Sequence, residues 1–211
     1  VTNGLPLQMG LVNNDGHNVF SALRNERARL AVWVQLKLAE QNLRGIRLKY
    51  MPAEWFDVPD DKAMENSLVA AIGVFACNRL VDEGRYEEAG RLIDHLLEIE
   101  SGMVELHRKL LICDKVFCEL VTSNSSDSPK DMLTKEQRKF MKAMKKNLSV
   151  LRTEYAYALI AENYTEKAGR IKEMFDKAAK SYPYPGDIFT ERELMNAAYK
   201  KYHSKNGENN L

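Results

Sequence analysis

Cysteine, glycine, proline, charge of a single sign and long apolar runs are all scarce in this chain. Only three of its 211 residues are cysteine, and Cys77, Cys113 and Cys118 form an odd set without CxxC spacing. That excludes a disulfide framework and fits reduced thiols packed in a core, in a reducing compartment. Glycine numbers 11 and proline 6, and each proline (Pro6, Pro52, Pro59, Pro129, Pro183 and Pro185) falls between periodic segments. Helix interiors exclude proline, so this placement favours helices. No segment alternates with period two, so no strand is expected. Lys and Arg total 31 against 30 Asp and Glu, a net charge of +1 that excludes the global basicity of a typical nucleic-acid binder. No run approaches the roughly 20 apolar residues of a membrane helix. The N-terminus lacks the basic-then-apolar layout of a signal peptide. HExxH, GxSxG, phosphate-loop and GxGxxG patterns are all missing.

Helical periodicity is what the sequence does have. With 45% apolar residues, 2 Trp, 9 Tyr and 7 Phe, the chain carries enough apolar surface to fold as one large or two small domains. Apolar residues recur at spacings of three and four over 26–44, 67–83, 85–100 and 103–121, with Gly45 and Gly84 placed to end the first two helices. Thr122 to Pro129 is polar and turn-forming, an exposed linker. Beyond it the pattern predicts helices over 135–147, 148–163 and 166–182, the first two able to run on as one. Capping-box spacing at Thr134-x-x-Gln137 and Thr190-x-x-Glu193 predicts helix starts near Lys135 and Glu191. The expected organisation is an N-terminal segment (1–25), a first helical-hairpin block (26–122), a polar linker (123–133), a second block (134–205) and a frayed tail (206–211).

One stretch occurs twice. Glu87-Glu-Ala-Gly-Arg-Leu92 returns as Glu166-Lys-Ala-Gly-Arg-Ile171, 79 residues later. Each copy follows an apolar helix and a short turn, around Gly84 and Asn163, and places a small residue (Ala89, Ala168) where paired helices approach closely. This resembles the tetratricopeptide helix–turn–helix repeat of about 34 residues. Cys77 and Ala156 stand where that repeat usually has glycine. The resemblance implies an all-α fold, an α-solenoid of helical hairpins whose concave face holds an extended peptide or a partner helix. The plainer expectation is a helical bundle with two similar helices.

Candidate chemistry is sparse. His95 and His107 are isolated on helices, and His95-x-x-Glu98 has ligand spacing but no further partners. No nucleophile is assembled with a base, so the chain is not expected to be an enzyme. Lys135, Arg138, Lys139, Lys142, Lys145 and Lys146 line one helical face while Phe140, Met141, Met144 and Leu148 turn inward. Such a face suits a protein partner or an anionic membrane surface, at about 1 kcal/mol per residue near a bilayer. Nucleic acid is the weakest partner, because no aromatic platform interleaves with the lysines. Near-neutrality is itself a sum. Residues 1–127 hold 14 basic and 19 acidic residues, and 128–211 hold 17 and 11. An acidic front and a basic back of this kind allow a homo-oligomer.

The N-terminal segment is apolar and turn-rich. Leu5-Pro6 followed by Asn14-Asp15-Gly16 resembles the LP…DG element of site-2-protease-like membrane zinc metallopeptidases. Leu11 to Gly16, Met51 to Phe56 and Tyr182 to Gly186 are similar to the soluble helical region that follows this element in some bacterial members. The resemblance implies that Asp15 is a third zinc ligand in the intact protein, with two His supplied by an HExxH absent here. One acidic ligand does not hold zinc, so no cofactor is expected in this chain. The zinc belongs to an intact parent, whose helical domain would sit soluble at the cytoplasmic face of a membrane. The competing expectation is a stand-alone scaffold in which Asn-Asp-Gly is merely a helix-start turn.

Overall fold

The computed structural model describes residues 25–123 and 128–207, and among these the fold is all-α, without a strand. The helices are α1 (Glu26–Leu43), α2 (Ser67–Asp82), α3 (Tyr86–Glu98), α4 (Glu105–Thr122), the short α5 (Ser128–Met132), α6 (Lys135–Ala143), α7 (Leu148–Ala156), α8 (Thr165–Ala179) and α9 (Pro185–Gly207). Three 3₁₀ turns bridge α1 and α2. The helices pack in a chain of neighbours: α1 on α2, α2 on α3, α3 on α4, α4 on α7, and α7 on α8. The last helix then turns back across α7 and α4 and reaches α1.

Local chemistry accounts for most boundaries. Asn25 Oδ1 accepts from the backbone N–H groups of Arg27 and Ala28 at 2.9 and 3.3 Å, and Asn66 Oδ1 does the same for Leu68 and Val69 at 3.0 and 3.4 Å. A side-chain oxygen at this position satisfies donors that the first turn leaves orphaned. Gly45 and Gly84 end α1 and α2 with φ of +82° and +76°, and Asn163 precedes α8 with φ of +50°. That backbone region suits glycine and, less often, asparagine.

One boundary agrees with the sequence expectation and one differs. The 135–163 stretch divides at 144–147 into the helices expected over 135–147 and 148–163, where Asn147 Oδ1 accepts from Val150 N–H at 3.1 Å and starts the second. This helix, α7, runs into a π-helical turn at Tyr157–Ala161. The last helix begins at Pro185, not near Glu191. Proline suits a first helical turn because it has no N–H to leave unsatisfied. Thr190 therefore lies inside the helix, where its hydroxyl donates to Asp82 Oδ1 at 3.0 Å instead of capping anything.

Burial follows the apolar stripes. One cluster joins α1, α2 and the inner face of α3 through Val34, Leu38, Ile72, Ile93 and Leu96. The other joins α4, α7, α8 and α9 through Phe117, Leu151, Ile160, Phe175 and Leu194. The two meet within α3 and α4: Ala89 belongs with the second and Ile93 with the first, Leu111 with the first and Cys113 with the second. Pro129 and Leu133, in the region read as an exposed linker, are buried. Cys77, Cys113 and Cys118 are buried free thiols. Burial pushes Cys113 and Cys118 each up to about 12, which leaves them chemically inert.

Candidate functional site

A cavity of about 350 Å³ lies where α9 crosses the inner helices. Its wall takes Leu38 and Asn42 from α1, Phe75 and Asn78 from α2, His107 and Asp114 from α4, Ser149 and Arg152 from α7, and Asp187 and Glu191 from α9. Five helices distant in sequence thus contribute to one half-open space.

Arg152 is the electrostatic centre of the wall. Its side chain is 1% exposed, one guanidinium nitrogen (Nη2) donates to Asp114 Oδ1, and Nε donates to Glu191 Oε2 at 2.9 Å. The guanidinium carbon lies 4.4 Å from the centre of the Phe117 ring, a cation–π arrangement. The remaining nitrogen, Nη1, is buried without a hydrogen-bond partner. Burial opposes the Arg152 charge, but Glu191 and Asp114 beside it more than compensate and raise its pKa. The carboxylates fare worse, because one cation serves both. Burial pushes Glu191 up to about 7 against the pull of Arg152, and Asp114 is raised for the same reason. His107, also in the wall, is held below its ordinary value by burial.

A second polar group fastens α9 to α1. Asn42 donates through its side-chain nitrogen to Asp187 Oδ1, and its Oδ1 accepts from Asp187 N–H at 2.8 Å. Asn42 thereby caps the first turn of a helix 145 residues away. Gly186 makes the approach feasible, since a Cβ there would lie 2.4 Å from Asn42 Oδ1 and 2.7 Å from Ile46 O. Burial raises Asp187 to about 6. Nearby, Asp82 accepts from the Arg47 side chain, from Lys49 N–H at 3.0 Å and from Thr190, while Arg47 also pairs with Glu193.

No family model, curated protein or solved structure matches the chain.

The residues singled out in the sequence lie elsewhere. Lys135, Arg138, Lys139, Lys142, Lys145 and Lys146 are all exposed on α6 and the turn after it. Arg138 is engaged locally, donating to Leu133 O at 3.1 Å and lying over the Tyr157 ring at 5.5 Å. Asp15 lies outside the described residues. His95 Nε2 sits 2.8 Å from Asp61 Oδ1, an exposed pair. Among the described residues, no group of three His, Cys, Asp or Glu side chains could hold a metal ion. No described helix is long and apolar enough to cross a membrane.

Sequence reasoning missed the groups that matter most here: Asp114, Arg152, Asp187 and Glu191. The signal was present for two of them. Asp114 follows Leu110-Leu-Ile-Cys113, and Arg152 sits within Leu148-Ser-Val-Leu-Arg-Thr153, each a charge inside an apolar run. A charge that is buried in such a setting needs a partner.

Proposed function

We propose that this chain is a non-catalytic, peptide-binding domain, an α-solenoid of tetratricopeptide-like hairpins whose inner helices hold an extended protein segment. The observation that carries this reading is the half-open cavity shared by α1, α2, α4, α7 and α9, which mixes apolar wall with buried charge. Binding sites commonly combine a largely apolar concavity with a few convergent polar groups. The placement of the repeated motif supports the hairpin reading. Ala89 and Ala168 are both buried at the start of α3 and α8, each five residues after a positive-φ turn residue, Gly84 or Asn163.

In the intact protein this domain is attached to a site-2-protease-like membrane zinc metallopeptidase, with Asp15 as the third ligand of a zinc whose other ligands lie beyond Val1. The resemblance at Leu5-Pro6 and Asn14-Asp15-Gly16 supports that attachment. The helical domain would then present peptide to a membrane-embedded protease.

Selection of displayed random peptides against the purified domain tests the binding reading. Selected peptides are expected to bind in calorimetry and to lose binding to Ala39→Trp, which fills the cavity from α1. Failure to select any peptide, or equal binding to Ala39→Trp, overturns it. The coding sequence upstream of Val1 tests the attachment: an HExxH within an apolar segment is expected, and its absence removes the protease connection.

A further inference from the structure

We propose that the cavity takes an α-aminoacyl group, an α-ammonium with its neighbouring carbonyl, as presented by the first residue of a peptide with a free N-terminus. This deepens the peptide-binding reading and rests on it.

The wall is short of positive charge. It holds three carboxylates, the buried Asp114 and the half-buried Asp187 and Glu191, against the single guanidinium of Arg152. Arg152 engages one oxygen each of Asp114 and Glu191, while Asp187 is served by both Asn42 and the Tyr182 hydroxyl. Asp114 and Glu191 therefore keep acceptor capacity that the protein leaves unused. Burial disfavours the charged form of the neighbouring His107. The raised pKa values of Glu191 and Asp187 report the same deficit from another direction. A monocation entering the space offsets it, and an ammonium brings three donors.

The same wall is short of one acceptor. Arg152 Nη1 is a buried donor with no partner, and leaving such a group unsatisfied is costly, the more so when it is charged. A cation alone leaves this donor unanswered. The ligand that answers both carries an ammonium and a carbonyl oxygen side by side, because Arg152 is bonded directly to the carboxylates that would hold the ammonium. A lysine side chain has the first group without the second at that spacing; an N-terminal residue has both. Leu38, Phe75 and Leu194 supply apolar wall for its side chain. A free amino acid offers the same chemistry with a carboxylate in place of the amide.

Calorimetric titration of the purified chain with L-leucine, L-leucinamide, Leu-Gly-Gly-amide and N-acetyl-L-leucinamide separates these sources. Leucinamide and Leu-Gly-Gly-amide are expected to bind, and N-acetylation is expected to weaken binding by about tenfold or more, the scale of a charge-assisted hydrogen bond. Ala39→Trp removes binding while leaving the polar wall intact. Glu191→Gln is expected to weaken the ammonium probes selectively. Should that change loosen α9, Asp187→Asn with circular dichroism as the folding control reads the same site. Equal binding of the acetylated probe, no binding by any probe at millimolar concentration, or full binding to Ala39→Trp overturns the inference. Binding of leucine without the peptide amide supports the aminoacyl site and overturns the peptide reading. Display-selected peptides that bind with blocked N-termini do the reverse.

Discussion

The hairpins α2–α3 and α7–α8 begin from related sequence and end with opposite interiors. Counting back 79 residues from Arg152 reaches Gly73. At Gly73 the first hairpin is tight and apolar: a Cβ would meet Leu96 Cδ2 and Met64 Sδ, both at 3.2 Å. At the matching position the second hairpin carries a buried guanidinium and, through it, Asp114 and Glu191. Its helix also ends in a π turn where α2 stays α-helical, and such turns recur at functional sites. One copy of the pattern has been used for packing and the other for a charged wall. The shared turn and small-residue positions are what allow the interior to diverge without losing the hairpin.

Four substitutions break or sharpen this contrast. Arg152→Met has the largest expected effect. It strands two buried carboxylates and should lower unfolding free energy by about 3–5 kcal/mol in urea titration. The next effect is a slope with pH. The folded-state pKa of Glu191 is raised from its ordinary 4.5 to about 7, so the native state binds more protons and stability falls as pH rises across that window. Arg152, Asp114 and Asp187 are the charges around it. Glu191→Gln should flatten the fall by at most about 3 kcal/mol between the two ends of the window, measured by denaturation at each. Third, Gly84→Ala forces a side chain into positive φ where nothing crowds it, and should cost about 1–2 kcal/mol. Asn163 already tolerates that geometry, with Tyr202 donating to its Oδ1 at 2.7 Å. Gly73→Ala comes last. Its neighbours are ends of flexible side chains and alanine favours a helix, so the net change should stay within about 1 kcal/mol by thermal denaturation.

Elements set by short-range chemistry were legible in the sequence, and those set by distant partners were not. Gly45 and Gly84 announce helix ends because only their own backbone decides the matter. Thr134 announces a start, and its hydroxyl accepts from Gln137 N–H at 3.2 Å. The Gln137 side chain turns instead to Lys109 O at 2.9 Å, so the capping box is half made. Thr190 carried the same local signal and misled, because the true first turn of α9 is capped by Asn42 from across the fold. The basic residues after Thr134 drew attention because they cluster in sequence. The cavity groups escaped it because Asp114, Arg152 and Glu191 meet only after three helices pack.

The cap that Asn42 supplies to α9 also sets an order of assembly. A ribosome releases Asn42 long before Pro185, and the contact that fastens the last helix spans 145 residues. Pairings so remote are slow to close, since the intervening chain must be ordered first. The nascent protein therefore spends its synthesis with the Arg152 wall uncovered, and a chain halted before Pro185 keeps it so. Packing of α9 is the event that turns an open groove into the half-open cavity.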